Sequence, residues 1–173
     1  MEQVSIGDLD QLLLGHKVGD IKTDPLERER LSGRGYLFVS DDETMRDSAI
    51  SRLRKIIAVR YLDFNAEPQG KKISEMCLNA FGTSYHSQKE YGFDISTLAR
   101  KNFEGIGLIV DNFQDIGLLA ARDVKLSLAF LRSLGRHPYD IPVIGIGSKE
   151  SLDLIKQDAQ LKYNWEEYAL VKD

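Results

Sequence analysis

The sequence has little cysteine and no long apolar run. Its one cysteine, Cys77, excludes an internal disulfide, and the first residues lack the basic, apolar and small-residue order of a signal peptide. The longest apolar runs, such as "LLLG" and "IGLIV", are far shorter than the roughly 20 residues that span a bilayer. We therefore predict a cytoplasmic protein that makes no use of a membrane.

An excess of positive charge is also missing. The formal net charge is -4 and the pI is near 5.5, which argues against a surface built throughout to neutralise phosphates. The cluster Arg52, Arg54 and Lys55 predicts a solvated helix face, and contact with DNA or a protein partner is the alternative. The three histidines are scattered without ligand spacing, so we expect no metal site among them.

The length of 173 residues and the hydrophobic content of 42% fit one globular domain. Residues 1 to 34 are predicted to form a short helix, over residues 5 to 14, and a charged connector that contains Asp24-Pro25 and "ERER". Residues 35 to 173 are predicted to form the core. Within it, Cys77 lies among apolar neighbours and is predicted to be a core residue rather than a nucleophile.

Apolar runs and helix patterns alternate through the core. Compact apolar runs predict strands over residues 36–39, 59–64, 106–111, 141–147 and, more weakly, 168–171. Spacings of three and four predict helices over residues 45–57, 71–81, 94–100, 118–134 and 148–155, with Ser148 as an N-cap and Gly135 as a stop. Continuous apolar strands separated by helices predict an α/β fold with three layers, in which a parallel sheet is covered on both faces.

Ligands of such sheets bind beyond the carboxyl ends of the strands, and the first strand ends in "SDDETMRD". A phosphate loop has the form GxxxxGK[ST]. Aligned with it, Ser40 and Met45 replace the glycines, Arg46 the lysine and Asp47 the hydroxyl. The acids of "DDE" would oppose a polyphosphate, and the alternative is that Asp41 or Asp42 caps the following helix.

The third strand ends in "LIVDNFQD". An aspartate at such a position holds magnesium in many phosphate-loop enzymes, and the next residue, usually glutamate, polarises the attacking water. Here the two residues are Asp111 and Asn112, and asparagine cannot act as a base. The alternative is that Asp111 caps the turn after its strand. In "GIG", the glycines Gly145 and Gly147 predict close packing rather than a dinucleotide site.

The chain resembles the TniB/TnsC type of AAA+ ATPase that accompanies DNA transposases. The resemblance covers roughly residues 30 to 171 and rests above all on "GLIVDNFQDI" and "LSLAFLRSLGRHPYDIPVIGIGSKESLDLIKQDAQLKYNWEEYAL". It implies an AAA+ core with five parallel strands in the order 5-1-4-3-2. We expect that core without the helical lid domain that usually follows it.

The resemblance assigns candidate site residues. The phosphate loop falls on residues 40 to 47, where Arg46 keeps the positive charge. The magnesium aspartate is Asp111, the catalytic glutamate falls on Asn112, and the sensor threonine falls on Ser148. The arginine that completes a neighbouring subunit's site falls on Asn164, so we expect a monomer or small oligomer rather than a nucleotide-linked ring.

Three functions remain open at this point. The first is a catalytically degenerate AAA+ protein, a pseudo-ATPase without a cofactor, which binds a protein partner such as a transposase or a related ATPase. The second is a divergent ATPase of transposition that binds ATP through Arg46 and magnesium through Asp111. The third is an unrelated α/β module, which a different strand order would favour.

Overall fold

The computed structural model describes residues 1–14, 35–57, 59–65, 73–80, 107–136 and 141–172. Its centre is a sheet of six strands in which every described pairing is parallel. The strands are β1 (Glu2–Ser5), β2 (Gly35–Val39), β3 (Val59–Asp63), β4 (Gly107–Asp111), β5 (Val143–Gly147) and β6 (Trp165–Val171). They lie in the order β1-β6-β2-β5-β4-β3.

The five predicted strands are β2 to β6, and their order is the predicted 5-1-4-3-2. The sixth strand, β1, was not predicted, because its sequence "EQVS" contains a single buried apolar residue, Val4. It lies at the edge of the sheet beside β6. Strand β6 also begins earlier than predicted, at Trp165, because Glu166 and Glu167 belong to the strand and hide its apolar alternation.

The described helices are α1 (Leu9–Leu14), α2 (Glu43–Ile56), α3 (Ile73–Ala80), α4 (Ala121–Leu134), α5 (Ser151–Gln157) and α6 (Ala159–Asn164). Three predicted helix starts were wrong. Ser5 belongs to β1 and a 3-10 turn occupies Ile6–Asp8, so α1 begins at Leu9 rather than at residue 5. A 3-10 turn occupies Phe113–Leu118, so α4 begins at Ala121. Helix α5 begins at Ser151, with Glu150 rather than Ser148 at its N-cap position. The predicted helix over residues 94–100 lies outside the described residues.

The sheet has a hydrophobic core on each face, which confirms the three-layer fold. Side chains alternate along β2, so that Tyr36 and Phe38 face one core while Leu37 and Val39 face the other. The first core includes buried residues of α1 and α2, and the second includes those of α3 to α6, with Cys77 among them. Among the described helices, none is long and apolar enough to cross a membrane.

Candidate functional site

The connection between β2 and α2 is short. Three residues, Ser40 to Asp42, separate Val39 from Glu43, where the helix begins. Asp42 is the N-cap, and its carboxylate accepts a hydrogen bond of 3.0 Å from the Thr44 backbone N–H. The predicted cap is therefore confirmed, and most of the segment aligned with a phosphate loop is helical.

Arg46 lies within α2 and points back toward the end of β2. Its guanidinium donates a hydrogen bond of 2.8 Å to the backbone carbonyl of Ser40. The Ser40 N–H in turn donates to the carbonyl of Gly147 at the end of β5, at 2.9 Å. Ser40 is buried, whereas Asp47 is exposed on the helix. Arg46 thus stabilises the local turn through the same end of its side chain that would contact a phosphate.

An exposed ion pair joins the β2–α2 connection to the segment after β5. The Asp41 carboxylate lies 2.8 Å from the Lys149 ammonium and accepts a second hydrogen bond from the Lys149 backbone N–H. The hydrogen bonds from Lys149 hold the pKa of Asp41 below its usual value. The lysine that follows β5 therefore already has an anionic partner.

Asp111, at the end of β4, is 8% exposed, and both of its carboxylate oxygens accept hydrogen bonds. Tyr61 of the neighbouring strand β3 donates its hydroxyl to Oδ2 at 2.6 Å, and the Asn112 backbone N–H donates to Oδ1 at 2.8 Å. Burial of the hydroxyl and its bond to Asp111 raise the pKa of Tyr61. The Asn112 contact is the turn cap considered for Asp111, and the Tyr61 contact was not predicted.

Asn112 has a left-handed backbone, with φ of 53°. Asparagine tolerates this conformation better than most residues. Its side-chain amide donates to the Asp63 carboxylate at the end of β3, at 2.9 Å, and its carbonyl oxygen accepts from the Gln114 amide at 3.4 Å. An amide can do both at once because it carries a donor and an acceptor. A carboxylate at this position could not donate to Asp63.

Gln114 extends the hydrogen bonds to the next strand. Its carbonyl oxygen accepts from the Ser148 backbone N–H, at 3.0 Å, directly after β5. The Ser148 hydroxyl donates to the Glu150 carboxylate at 3.3 Å. Side chains therefore connect the carboxyl ends of β3, β4 and β5 in the series Asp63, Asn112, Gln114 and the Ser148 backbone. We call this series the edge network.

The glycines of "GIG" fit closely against this region. A Cβ atom at Gly145 would lie 2.8 Å from the Phe113 ring, and one at Gly147 would overlap the side chains of Ser151 and Gln114. These contacts confirm the predicted close packing. The end of β5 and the edge network are therefore in direct contact.

The structure brings most of the predicted site residues to one edge of the sheet. Ser40, Arg46, Asp111, Asn112 and Ser148 lie at or beside the carboxyl ends of β2, β4 and β5. Asn164 lies at the opposite edge, because it directly precedes β6, whose first residue pairs with Gly35. The described residues contain no group of three or more acidic, histidine or cysteine side chains placed to hold a metal.

Sequence reasoning missed Tyr61, Asp63 and Gln114. The Tyr61 contact follows from the register of β3 and β4, where Asp63 pairs with Asp111, and the sequence alone does not give this register. Tyr61 is two residues before Asp63, so its side chain is on the same face and diagonal to Asp111, within reach of a long side chain.

The model of the family described as "Bacterial TniB protein" matches residues 39–172. The chain belongs to the TniB family. This finding confirms the resemblance drawn from the C-terminal half of the sequence and agrees with the AAA+ strand order of the sheet.

Other comparisons with this TniB-family chain are more distant. A solved chain in "Structure of Drosophila ORC bound to DNA" is similar with a TM-score of 0.46 and 15% sequence identity. The similarity covers 82% of the TniB-family chain and 37% of the Drosophila chain, so the present chain spans little more than a third of that chain's length. No curated protein sequence matches.

Proposed function

We propose that this TniB-family protein binds no nucleotide and acts in DNA transposition as a protein-interaction or regulatory module. The observation that carries the proposal is the engagement of Asp111. Both of its oxygens accept short hydrogen bonds, from Tyr61 and from the Asn112 backbone, and the carboxylate is largely buried. A magnesium ion held by Asp111 would compete for the carboxylate with these two donors.

The β2–α2 connection supports the same conclusion. A phosphate loop surrounds phosphate groups with backbone N–H groups, and the three residues before α2 offer few of them. The Asp42 carboxylate occupies the helix N-terminus, where a phosphate would otherwise bind, and Asp41 and Glu43 flank it. At about 4 Å, like charges repel by roughly 1 to 4 kcal/mol, depending on the effective dielectric. These residues do not fit a magnesium–triphosphate.

Asn112 is the third supporting observation. At the position that corresponds to the catalytic glutamate, it connects Asp63 to Gln114. This is a structural contribution that a general base does not make. We infer that the crevice is stabilised by contacts between its own side chains.

The test is calorimetry of the purified protein with ATP and with GTP, each at millimolar concentration with magnesium. The proposal expects no saturable heat. The divergent ATPase using Arg46 and Asp111 is the competing function, and it expects saturable binding that Arg46→Ala and Asp111→Ala each abolish. Saturable binding by the parent protein that both variants lose would contradict the proposal and support the divergent ATPase.

The partner is proposed to be a protein of the same transposition system, either a transposase or a related active ATPase. Membership of the TniB family supports this choice. Co-expression with a transposase of the same transposition system, followed by size-exclusion chromatography, tests it directly. We expect co-elution that persists without added nucleotide. Separate elution at micromolar concentrations of both proteins would exclude the transposase.

A further inference from the structure

A second concave site lies at the amino edge of the sheet, away from the edge network. It is a cleft of about 120 Å³. One water molecule needs roughly 10–15 Å³ of such a cavity, so a group of several heavy atoms fits in the cleft. The strands β2, β5 and β6 contribute Gly35, Val143 and Trp165, all at their first residues. The C-terminal end of α4, the two residues that follow it and Asn164 supply the rest of the lining.

Trp165 is held in place on two sides. Its indole lies directly against Gly35, where any Cβ would overlap the ring, and its centroid is 5.6 Å from that of Phe113. The indole N–H makes no hydrogen bond to the described residues. The cleft is therefore lined by a fixed aromatic ring whose N–H has no acceptor among the described residues.

The charged side chains of the cleft are also hydrogen-bond donors. Arg132 and Arg136 both line it. Arg132 forms an ion pair of 2.6 Å with Asp158, which neutralises its charge. Arg136 is exposed and donates to the neutral Gln160 at 3.0 Å, with no ion pair to another described residue. Among the described residues that line the cleft, Arg136 therefore carries a positive charge with no acidic partner.

We propose that this cleft binds a singly charged carboxylate. Arg136 would supply the charge and a forked set of N–H donors, and the Trp165 indole N–H would supply a further donor. A doubly charged phosphate fits less well, because Asp158 lies against Arg132 and would repel a second negative charge. The proposal concerns a different edge of the sheet from the proposed function and does not depend on it.

Trp165 is the chain's sole tryptophan, so intrinsic fluorescence reports on the cleft directly. Acetate, N-acetylglutamic acid α-amide and inorganic phosphate are titrated into the intact chain, with sodium chloride keeping the ionic strength constant. We expect saturable quenching or a spectral shift with both carboxylates. Tighter binding of acetate indicates a free small carboxylate, and tighter binding of the glutamate derivative indicates an acidic side chain of a protein partner.

Matched variants distinguish binding at the cleft from a general effect of the protein's surface charge. Arg136→Gln should weaken carboxylate binding at least tenfold, since a charge-assisted hydrogen bond is lost. Lys125→Gln removes an exposed charge from α4 at a position that does not line the cleft, and this variant should bind carboxylates like the parent. Three results would each overturn the proposal: unchanged fluorescence with both carboxylates, equal binding by the parent and Arg136→Gln, or phosphate binding tighter than either carboxylate.

Discussion

The two edges of the sheet differ in how their polar groups are satisfied. At the carboxyl edge, the polar side chains bond to one another, from Asp63 through Asn112 and Gln114 to the Ser148 backbone. At the amino edge, Trp165 and Arg136 keep donor capacity that no described acceptor uses fully. The resemblance to AAA+ ATPases implies a ligand at the carboxyl edge. The hydrogen-bond donors without a full set of described acceptors lie instead at the amino edge.

This difference separates the position of a residue in the fold from the contacts that its side chain makes. Asp111 lies where the fold places a magnesium ligand, yet its oxygens are bonded to Tyr61 and to the backbone. A polar group bonded within the protein gains less from a ligand than an unsatisfied one, because part of its hydrogen-bonding capacity is already used.

The largest expected effect follows from placing a glutamate at position 112. Asn112→Glu puts a carboxylate beside Asp63, removes the hydrogen bond donated to Asp63 and places a less tolerant residue at φ of 53°. We expect a loss of about 3 kcal/mol in the free energy of unfolding, measured by urea denaturation, and no gain of ATP hydrolysis.

Two control variants accompany Asn112→Glu. Asn112→Gly keeps the backbone conformation without the repulsion and should lose about 1 kcal/mol. Arg136→Gln, at the other edge, should change stability by no more than about 0.5 kcal/mol. A glutamate variant as stable as the parent would show that the edge network contributes little.

The next effect concerns the hydroxyl of Tyr61. Tyr61→Phe leaves one oxygen of the buried Asp111 without its 2.6 Å donor, so we expect a loss of about 1.5 to 3 kcal/mol in urea denaturation. Tyr168→Phe is the matched control. It removes a hydroxyl bonded to Glu166, whose side chain is exposed and can bond to water instead. Equal losses in the two variants would contradict the special contribution of the Asp111 contact.

The smallest effect concerns the exposed pair of Asp41 and Lys149. Lys149→Ala should raise the pKa of Asp41 toward its usual value, as followed by NMR titration of the carboxyl group. Because the folded-state pKa is lowered, the pair stabilises the fold above the unfolded-state pKa. That contribution is lost as the pH falls through the folded-state value. Salt at 0.5 M should reduce the difference between parent and variant, and a difference unaffected by salt would contradict a screened surface pair.

Much of the fold could be predicted from local patterns. The buried strands β2, β4 and β5 are short continuous apolar runs, and the helices that cover them repeat at spacings of three and four. Strand β1 could not be predicted in this way. It is mostly polar and depends on pairing with β6, at the other end of the chain.

The site was predictable in location but not in its bonding. Asp111, Asn112 and Ser148 are the ends of recognisable elements, so their common edge follows from the topology. The hydrogen-bond partner of Asp111 could not be predicted from the topology, because Tyr61 looks in the sequence like an ordinary aromatic residue of a strand. Its contact depends on strand register, which is set by residues distant in sequence.

Nucleotide calorimetry tests the central claim most directly. The parent protein and Asp111→Ala are each titrated with ATP and magnesium at millimolar concentration. The account predicts no saturable heat from the parent, because Asp111 is engaged and acids surround the helix N-terminus. Saturable binding to the parent that Asp111→Ala abolishes would contradict it.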